Sequence, residues 1–177
     1  MRNLNLENVD EAGDFTRVPV GGYICKITKV EDVSNKEYLK LEYEIVDGQH
    51  KGSSERMHAA CGFWPNFIRS YKEKALPFFK SFVTALETSN QGYKWDNDER
   101  KIVGKFVGLV LGEEEYMTKN GETKTRLYVA QVRSGQKIRS GDFEVPPLKV
   151  LKNSGNNYDD PGYEQAPTSA YDSEVPF

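Results

Sequence analysis

The chain has 177 residues, a formal net charge of −3, and 37% hydrophobic against 29% charged residues, which suits one globular domain with a sizeable core plus a polar extension. No apolar run approaches the roughly 20 residues that cross a bilayer as a helix, and residues 1–8 lack the apolar core of a secretory signal, so no membrane partner and a cytoplasmic address are expected. Cys25 and Cys61 are expected as two buried thiols, and neither they nor His50 and His58 show zinc-site spacing, so no metal and no cofactor are expected.

Residues 1–16 are polar and aperiodic and are expected to form a flexible arm. Val18-Pro19-Val20-Gly21-Gly22 reads as a turn into a first strand over 23–33, where Tyr23, Cys25 and Ile27 alternate with Ile24, Lys26 and Thr28. A second strand over 38–46 places Leu39, Leu41, Tyr43 and Ile45 on one face and Tyr38, Lys40, Glu42 and Glu44 on the other. Residues 56–61 are expected as a short third strand. From Pro65 the period changes: Phe67, Ile68 and Tyr71 suggest a short helix, and Pro77, Phe78, Phe79, Phe82, Val83 and Leu86 a longer one. Pro77 suits the first turn of that helix, where its missing N–H costs nothing, and Ser89-Asn90-Gln91-Gly92 stops it.

A strand over 104–117 follows, then Asn120-Gly121, the strongest hairpin signal in the chain, then a return strand over 123–132. Residues 137–139 are expected to add a short edge strand, and residues 143–150, with Pro146-Pro147, close the body. Three strands, a helical segment and a long hairpin make a mainly β chain in the order of an OB-fold, a five-stranded Greek-key barrel, an order that other α+β sandwiches share. The expected organisation is an arm over 1–16, an OB-fold domain over 17–151 and a disordered acidic tail over 152–177.

Binding a single strand without strong sequence preference needs cations along the phosphates and aromatic rings under the bases. The hairpin offers Lys119, Lys124 and Arg126 with Tyr116 and Tyr128, and Lys124, Arg126 and Tyr128 share a parity and hence a face. Lys26 on the first strand and Tyr38 with Lys40 on the second are further candidates, as is Trp64 in Phe63-Trp64-Pro65. The same hairpin residues also suit an ordinary solvated face, and the neighbouring Glu113-Glu114-Glu115 run repels phosphate. Trp64 likewise suits a core position. Tyr93 and Trp95 are more exposed candidates of the same kind. Asp96 and Asp98 fall short of a calcium loop because Arg100 and a missing glycine break the pattern. The phosphate-loop, nucleophile-elbow and zinc-protease motifs are missing, so catalysis is not expected.

Residues 154–177 hold five acids and no Lys or Arg; removing those five from the total of 27 leaves 22 acids against 24 cations in residues 1–153. An acidic chain therefore carries a slightly basic body. The tail ends in Asp172-Ser173-Glu174-Val175-Pro176-Phe177. A generic acidic terminus explains its charge but not the apolar pair at its end. A ring with a carboxylate suits a partner pocket with an apolar floor and a basic rim, where Asp172 and Glu174 meet flanking cations and Val175, Pro176 and Phe177 fill the floor.

This tip resembles that of bacterial single-stranded-DNA-binding proteins, in which several acids precede Pro-Phe, although here the acids are diluted. The body is similar to phage-encoded single-strand-binding proteins of the OB type through Gly22-Tyr23-Ile24-Cys25-Lys26-Ile27 and the run Tyr38-Leu39-Lys40-Leu41-Glu42-Tyr43-Glu44-Ile45-Val46-Asp47-Gly48. The resemblance implies coating of single-stranded DNA in phage replication and recombination within the host cytoplasm. It also implies recruitment of replication or recombination proteins by the tip, and competition between tail and DNA for the basic groove. The oligomeric state stays open, a homodimer or higher homo-oligomer included. A protein-interaction adaptor with an OB-like body is the alternative, and a nuclease a second rival.

Overall fold

Strand β2 (Tyr38–Ile45) has the alternation read from its sequence: Leu39, Leu41, Tyr43 and Ile45 are buried, while Tyr38, Lys40, Glu42 and Glu44 are partly exposed. The computed structural model describes residues 17–151. The arm over 1–16 and the tail with Asp172, Glu174, Val175, Pro176 and Phe177 lie outside the described residues.

Strand β1 (Gly21–Val33) is long enough to serve two neighbours. Residues 21–26 pair with β4 (Phe106–Met117), and residues 25–33 pair with β2. A register shift between Ile27 and Lys29 marks a bulge, which bends and twists the strand so that both pairings are met. With β3 (Asn66–Ser70) against β2 and β5 (Thr123–Arg133) against β4, the sheet is antiparallel throughout and ordered β3-β2-β1-β4-β5. The mainly β class expected from the sequence is therefore correct. The hairpin loop closes between Thr118 and Glu122, with only Gly121 at positive φ (79°), so it is wider than a two-residue type I′ turn.

Helix α2 (Leu76–Ser89), with Pro77 in its first turn as expected, lies between β3 and β4 in sequence and packs on the sheet through Phe82, Ala85 and Leu86. Phe82 and Leu86 are fully buried against a cluster that includes Ile27, Leu41, Ile45, Val107 and Leu109. Edge-on aromatic contacts run from Phe67 to Phe82, Phe79 and Trp95, with centroids 5.9–6.2 Å apart.

Three expected elements take another form. Residues 56–61 belong to helix α1 (Ser53–Cys61), not to a strand. Its N-terminus is held by a tertiary cap: Glu44 Oε1 accepts from the Ser54 N–H (3.0 Å) and Oε2 from the Glu55 N–H (2.7 Å). The third strand lies instead at 66–70, where a helix was expected. Phe67 faces the core and Ile68 the opposite side, an alternation that β2 enforces by pairing Leu41 with Phe67 and Lys40 with Ile68. Residues 137–139 sit in helix α3 (Gly135–Ser140), capped by Ser134 Oγ and ended by Gly141 at φ 71°, rather than in an edge strand. Cys25 is buried as expected, but Cys61 is exposed because α1 lies on the surface; both thiols are free. Among the described residues no helix is long and apolar enough to cross a membrane.

The outer face of β1 and β4, away from α2, carries a lane of glycines. A Cβ on Gly108 would stand 2.4 Å from Ile138 Cγ1, and one on Gly22 would stand 2.5 Å from the Phe143 ring. At Gly112 a Cβ would meet both Pro146 and Tyr128 at 3.1 Å. Helix α3 and the strap that follows it, residues 142–151, lie along this lane. Beyond Leu111 the β4 edge has no β1 partner, and Lys149 takes its place: its N–H donates to Glu113 O (2.9 Å), and its carbonyl accepts from the Glu115 N–H (2.8 Å).

Candidate nucleic-acid interface

The candidate residues fall into two groups on the outer side of the sheet. The first lies on β1, β2 and the approach to β3. Tyr38 and Lys40 project outward from β2, and Lys26 projects from β1 opposite Glu44. Trp64 precedes β3 in the same parity as Asn66 and Ile68. The Pro65 carbonyl accepting from the Tyr43 N–H continues the β2–β3 pairing to this point. Trp64 is half-buried, its indole N–H donating to Tyr43 O at 3.1 Å and its ring 5.3 Å from His58.

The acids of this face are largely engaged. Glu42 lies 3.6 Å from Lys29. Glu44 accepts from Ser54, Glu55 and the Ile45 N–H. Glu31, opposite Lys40 in register, stays exposed. Lys26 and Lys40 form no ion pair among the described residues, so this face offers two uncommitted cations alongside the rings of Tyr38 and Trp64.

The second group is the hairpin. The register Gly112 to Tyr128, Glu114 to Arg126 and Tyr116 to Lys124 confirms that Lys124, Arg126 and Tyr128 share a face, with Tyr116 beside them. Most of this face is already matched internally. Arg126 binds Glu114 at 2.9 Å and lies 5.1 Å from the Tyr116 ring centroid. Lys124 is 3.6 Å from Glu122, with both side chains exposed, a pair worth at most about 1 kcal/mol. Lys119 is exposed at the loop. Tyr128 is half-buried, with Lys149 Nζ 5.0 Å over its ring, and burial followed by the Glu114 carboxylate pushes its phenol above the ordinary range.

The acidic run is likewise compensated. Glu113 pairs with Arg17 at 3.0 Å, Glu114 with Arg126 and Lys149, and Glu115 accepts the Leu151 N–H at 3.1 Å. Of the two further aromatic candidates, Tyr93 is buried with Lys105 Nζ 5.0 Å over its ring, and Trp95 packs on Phe79.

Two residues escaped the reading of the sequence. Lys149 lies far from the hairpin in sequence, and only the parallel bridge to Glu114 brings it there. Arg69 falls in a segment expected as helix; on β3 it projects to the core side, its guanidinium 5.0 Å from the Phe67 ring. Burial lowers it to about 10, and it donates to Ile68 O. A cavity of about 750 Å³ lies elsewhere, between α2, the end of β5 and α3, and is lined by Thr84, Thr88, Arg133, Lys137 and Phe143 among others. Among the described residues no cluster of three or more His, Cys, Asp or Glu side chains is placed to hold a metal ion.

The model of a protein family of unknown function, DUF669, matches residues 3–145. The match takes in the whole sheet and the first part of the strap, and stops short of Lys149. No curated protein matches the chain.

Proposed function

We propose that this chain, which belongs to the DUF669 family, is a non-enzymatic single-stranded-DNA-binding protein with an OB-type body. The observation that carries this reading is that Lys26, Tyr38, Lys40 and Trp64 share the outer face of β1–β3, with Lys26 and Lys40 unpaired among the described residues. The strand order supports it. In an OB-fold the face of strands 2 and 3 and the loop between strands 4 and 5 bind oligonucleotides; here Tyr38 and Lys40 stand on β2 and Lys119 in the β4–β5 loop. Phosphates follow the lysines and bases stack on the rings, which accounts for binding with little sequence preference.

In this reading the protein coats single strands in phage replication and recombination, in the cytoplasm of a bacterial host. The tip residues Asp172, Glu174, Val175, Pro176 and Phe177 recruit replication or recombination proteins. Fluorescence titration with oligo-dT at several salt concentrations tests it. Submicromolar binding at low salt that weakens steeply with salt, and a clear preference over duplex, are expected. Micromolar or weaker binding at low salt without that preference overturns the reading.

A protein-interaction adaptor is the second reading, favoured by the exposed apolar side chains of Leu148, Val150 and Leu151 on the strap. Deleting residues 172–177 separates the two. The DNA-binding reading keeps or tightens strand affinity while partner capture is lost; the adaptor reading predicts no strand binding with or without the tip.

A further inference from the structure

Tyr128 is the residue whose chemistry and whose surroundings disagree most. It stands on the same outer side of the sheet as the β1–β3 face, yet its ring is covered. Lys149 Nζ sits 5.0 Å from the ring centroid, and Pro146 and the ring edge both lie over Gly112. Aromatic side chains that serve single strands offer a ring face to a base, and here a cation occupies that face by an attraction of about 0.5–1 kcal/mol at exposed sites.

The cover is lightly attached. From residue 144 onward the strap is held by the two backbone hydrogen bonds of Lys149, the Leu151 N–H to Glu115, the contact of Pro146 above Gly112, and the Lys149 ammonium. That ammonium reaches Glu114 only at 3.9 Å, and Glu114 is already bound by Arg126 at 2.9 Å. The apolar side chains of the strap contribute little: Val145, Leu148, Val150 and Leu151 are 38–63% exposed. Removing Lys149 from Tyr128 therefore leaves Glu114 paired and buries no orphaned charge.

We propose that Tyr128 is a second base-stacking subsite, covered in the free protein by the strap, and that a nucleobase displaces Lys149 from its ring when a strand binds. This rests on the single-strand-binding reading above and adds an order to it: the open β1–β3 face is occupied first, and the hairpin subsite opens as the strap lifts. Strand occupancy is thereby coupled to the chain that leads into the acidic tail.

The test uses the full chain and oligo-dT. Trypsin cleavage after Lys149, mapped by mass spectrometry, is compared with and without saturating oligonucleotide. Lifting the strap frees the backbone that Glu113 and Glu115 hold, so the strand accelerates this cut severalfold. A rate unchanged or slowed by an oligonucleotide that titration shows to be bound overturns the inference and leaves the strand-binding reading intact. Absence of binding in the titration overturns both.

A double-mutant cycle supplies the second measurement. Lys149→Gln shifts affinity two- to fivefold more favourably in the wild-type background than in Tyr128→Ala, the worth of one cation–π contact removed from a competing ring. Equal shifts in the two backgrounds make Lys149 an ordinary phosphate contact and overturn the inference.

Discussion

Placing an alanine at Gly108 tests the packing of α3 and the strap on the sheet. The new Cβ would lie 2.4 Å from Ile138 Cγ1, 2.8 Å from Ser134 O and 3.0 Å from Arg133 O. The first contact is relieved by a side-chain rotation. The other two are carbonyl oxygens at the end of β5 and the start of α3, and Gly108 is itself paired with Arg133 across the ladder. Relief therefore requires moving α3 off β4. Overpacking of a well-ordered interior costs about 1–3 kcal/mol, and two backbone contacts place Gly108→Ala in the upper half, at about 2–3 kcal/mol. For a chain of this size that lowers the melting temperature by roughly 4–12 °C. Gly22→Ala is the control. The three atoms nearest its Cβ, at 2.5–2.9 Å, all belong to the Phe143 side chain rather than to backbone, and a side chain can rotate away where a carbonyl cannot, so a loss of about 1 kcal/mol is expected. Thermal and urea denaturation of both variants, with Gly108→Ala/Ile138→Ala as a partial rescue, measure the difference. A Gly108→Ala variant within about 0.5 kcal/mol of wild type, or full rescue by the second substitution, would refute the steric account.

Glu44→Ala leaves three backbone N–H groups without their acceptor and should cost about 1–3 kcal/mol. Glu42→Ala removes only the Lys29 pair and should cost less than about 1 kcal/mol. Equal losses in urea titrations would show that the tertiary cap on α1 contributes nothing. On the alkaline side, burial first and Glu44 second push the Cys25 thiol well above its ordinary value. The folded state thus favours the neutral thiol: its stabilisation is complete below the unfolded value, about pH 8.5, and is lost as pH rises towards the folded one. Unfolding free energy should fall between pH 8 and 10, and Cys25→Ala should flatten that slope; an unchanged slope would assign the loss to other groups. Lys26→Gln and Lys40→Gln should each reduce the salt dependence of oligo-dT binding by about 0.7 in log–log slope, whereas a neutral substitution at Lys94, already paired with Glu87, should leave it unchanged.

Strands β1, β2, β4 and β5 and helix α2 were legible in the sequence because each is long enough for its period to show. Eight alternating residues define β2, and Asn120-Gly121 locates the hairpin loop between two strands of more than ten residues each. The shared face of Lys124, Arg126 and Tyr128 follows from parity alone. Helices α1 and α3 and strand β3 were misread because five to nine residues carry too few periods to separate the templates. Their state is set by partners distant in sequence: Glu44 caps α1, and β2 holds Phe67 and Ile68 in extended register.

The sequence by itself determined the order of the long elements, the side of each strand that enters the core, and the separation of a slightly basic body from an acidic tail. Those properties reside in local periodicity and in composition. Only the tertiary structure decided which cations are available. Lys26 and Lys40 remain unpaired among the described residues, whereas Arg126 binds Glu114 and Lys149 covers Tyr128. It also decided why glycines stand at 22, 108 and 112, positions that meet Phe143, Ile138 and Pro146. The physical reason is the same for both. An ion pair or a steric contact depends on distances between residues up to about 120 positions apart, and no local pattern encodes those distances until the sheet has formed and the strap lies over it.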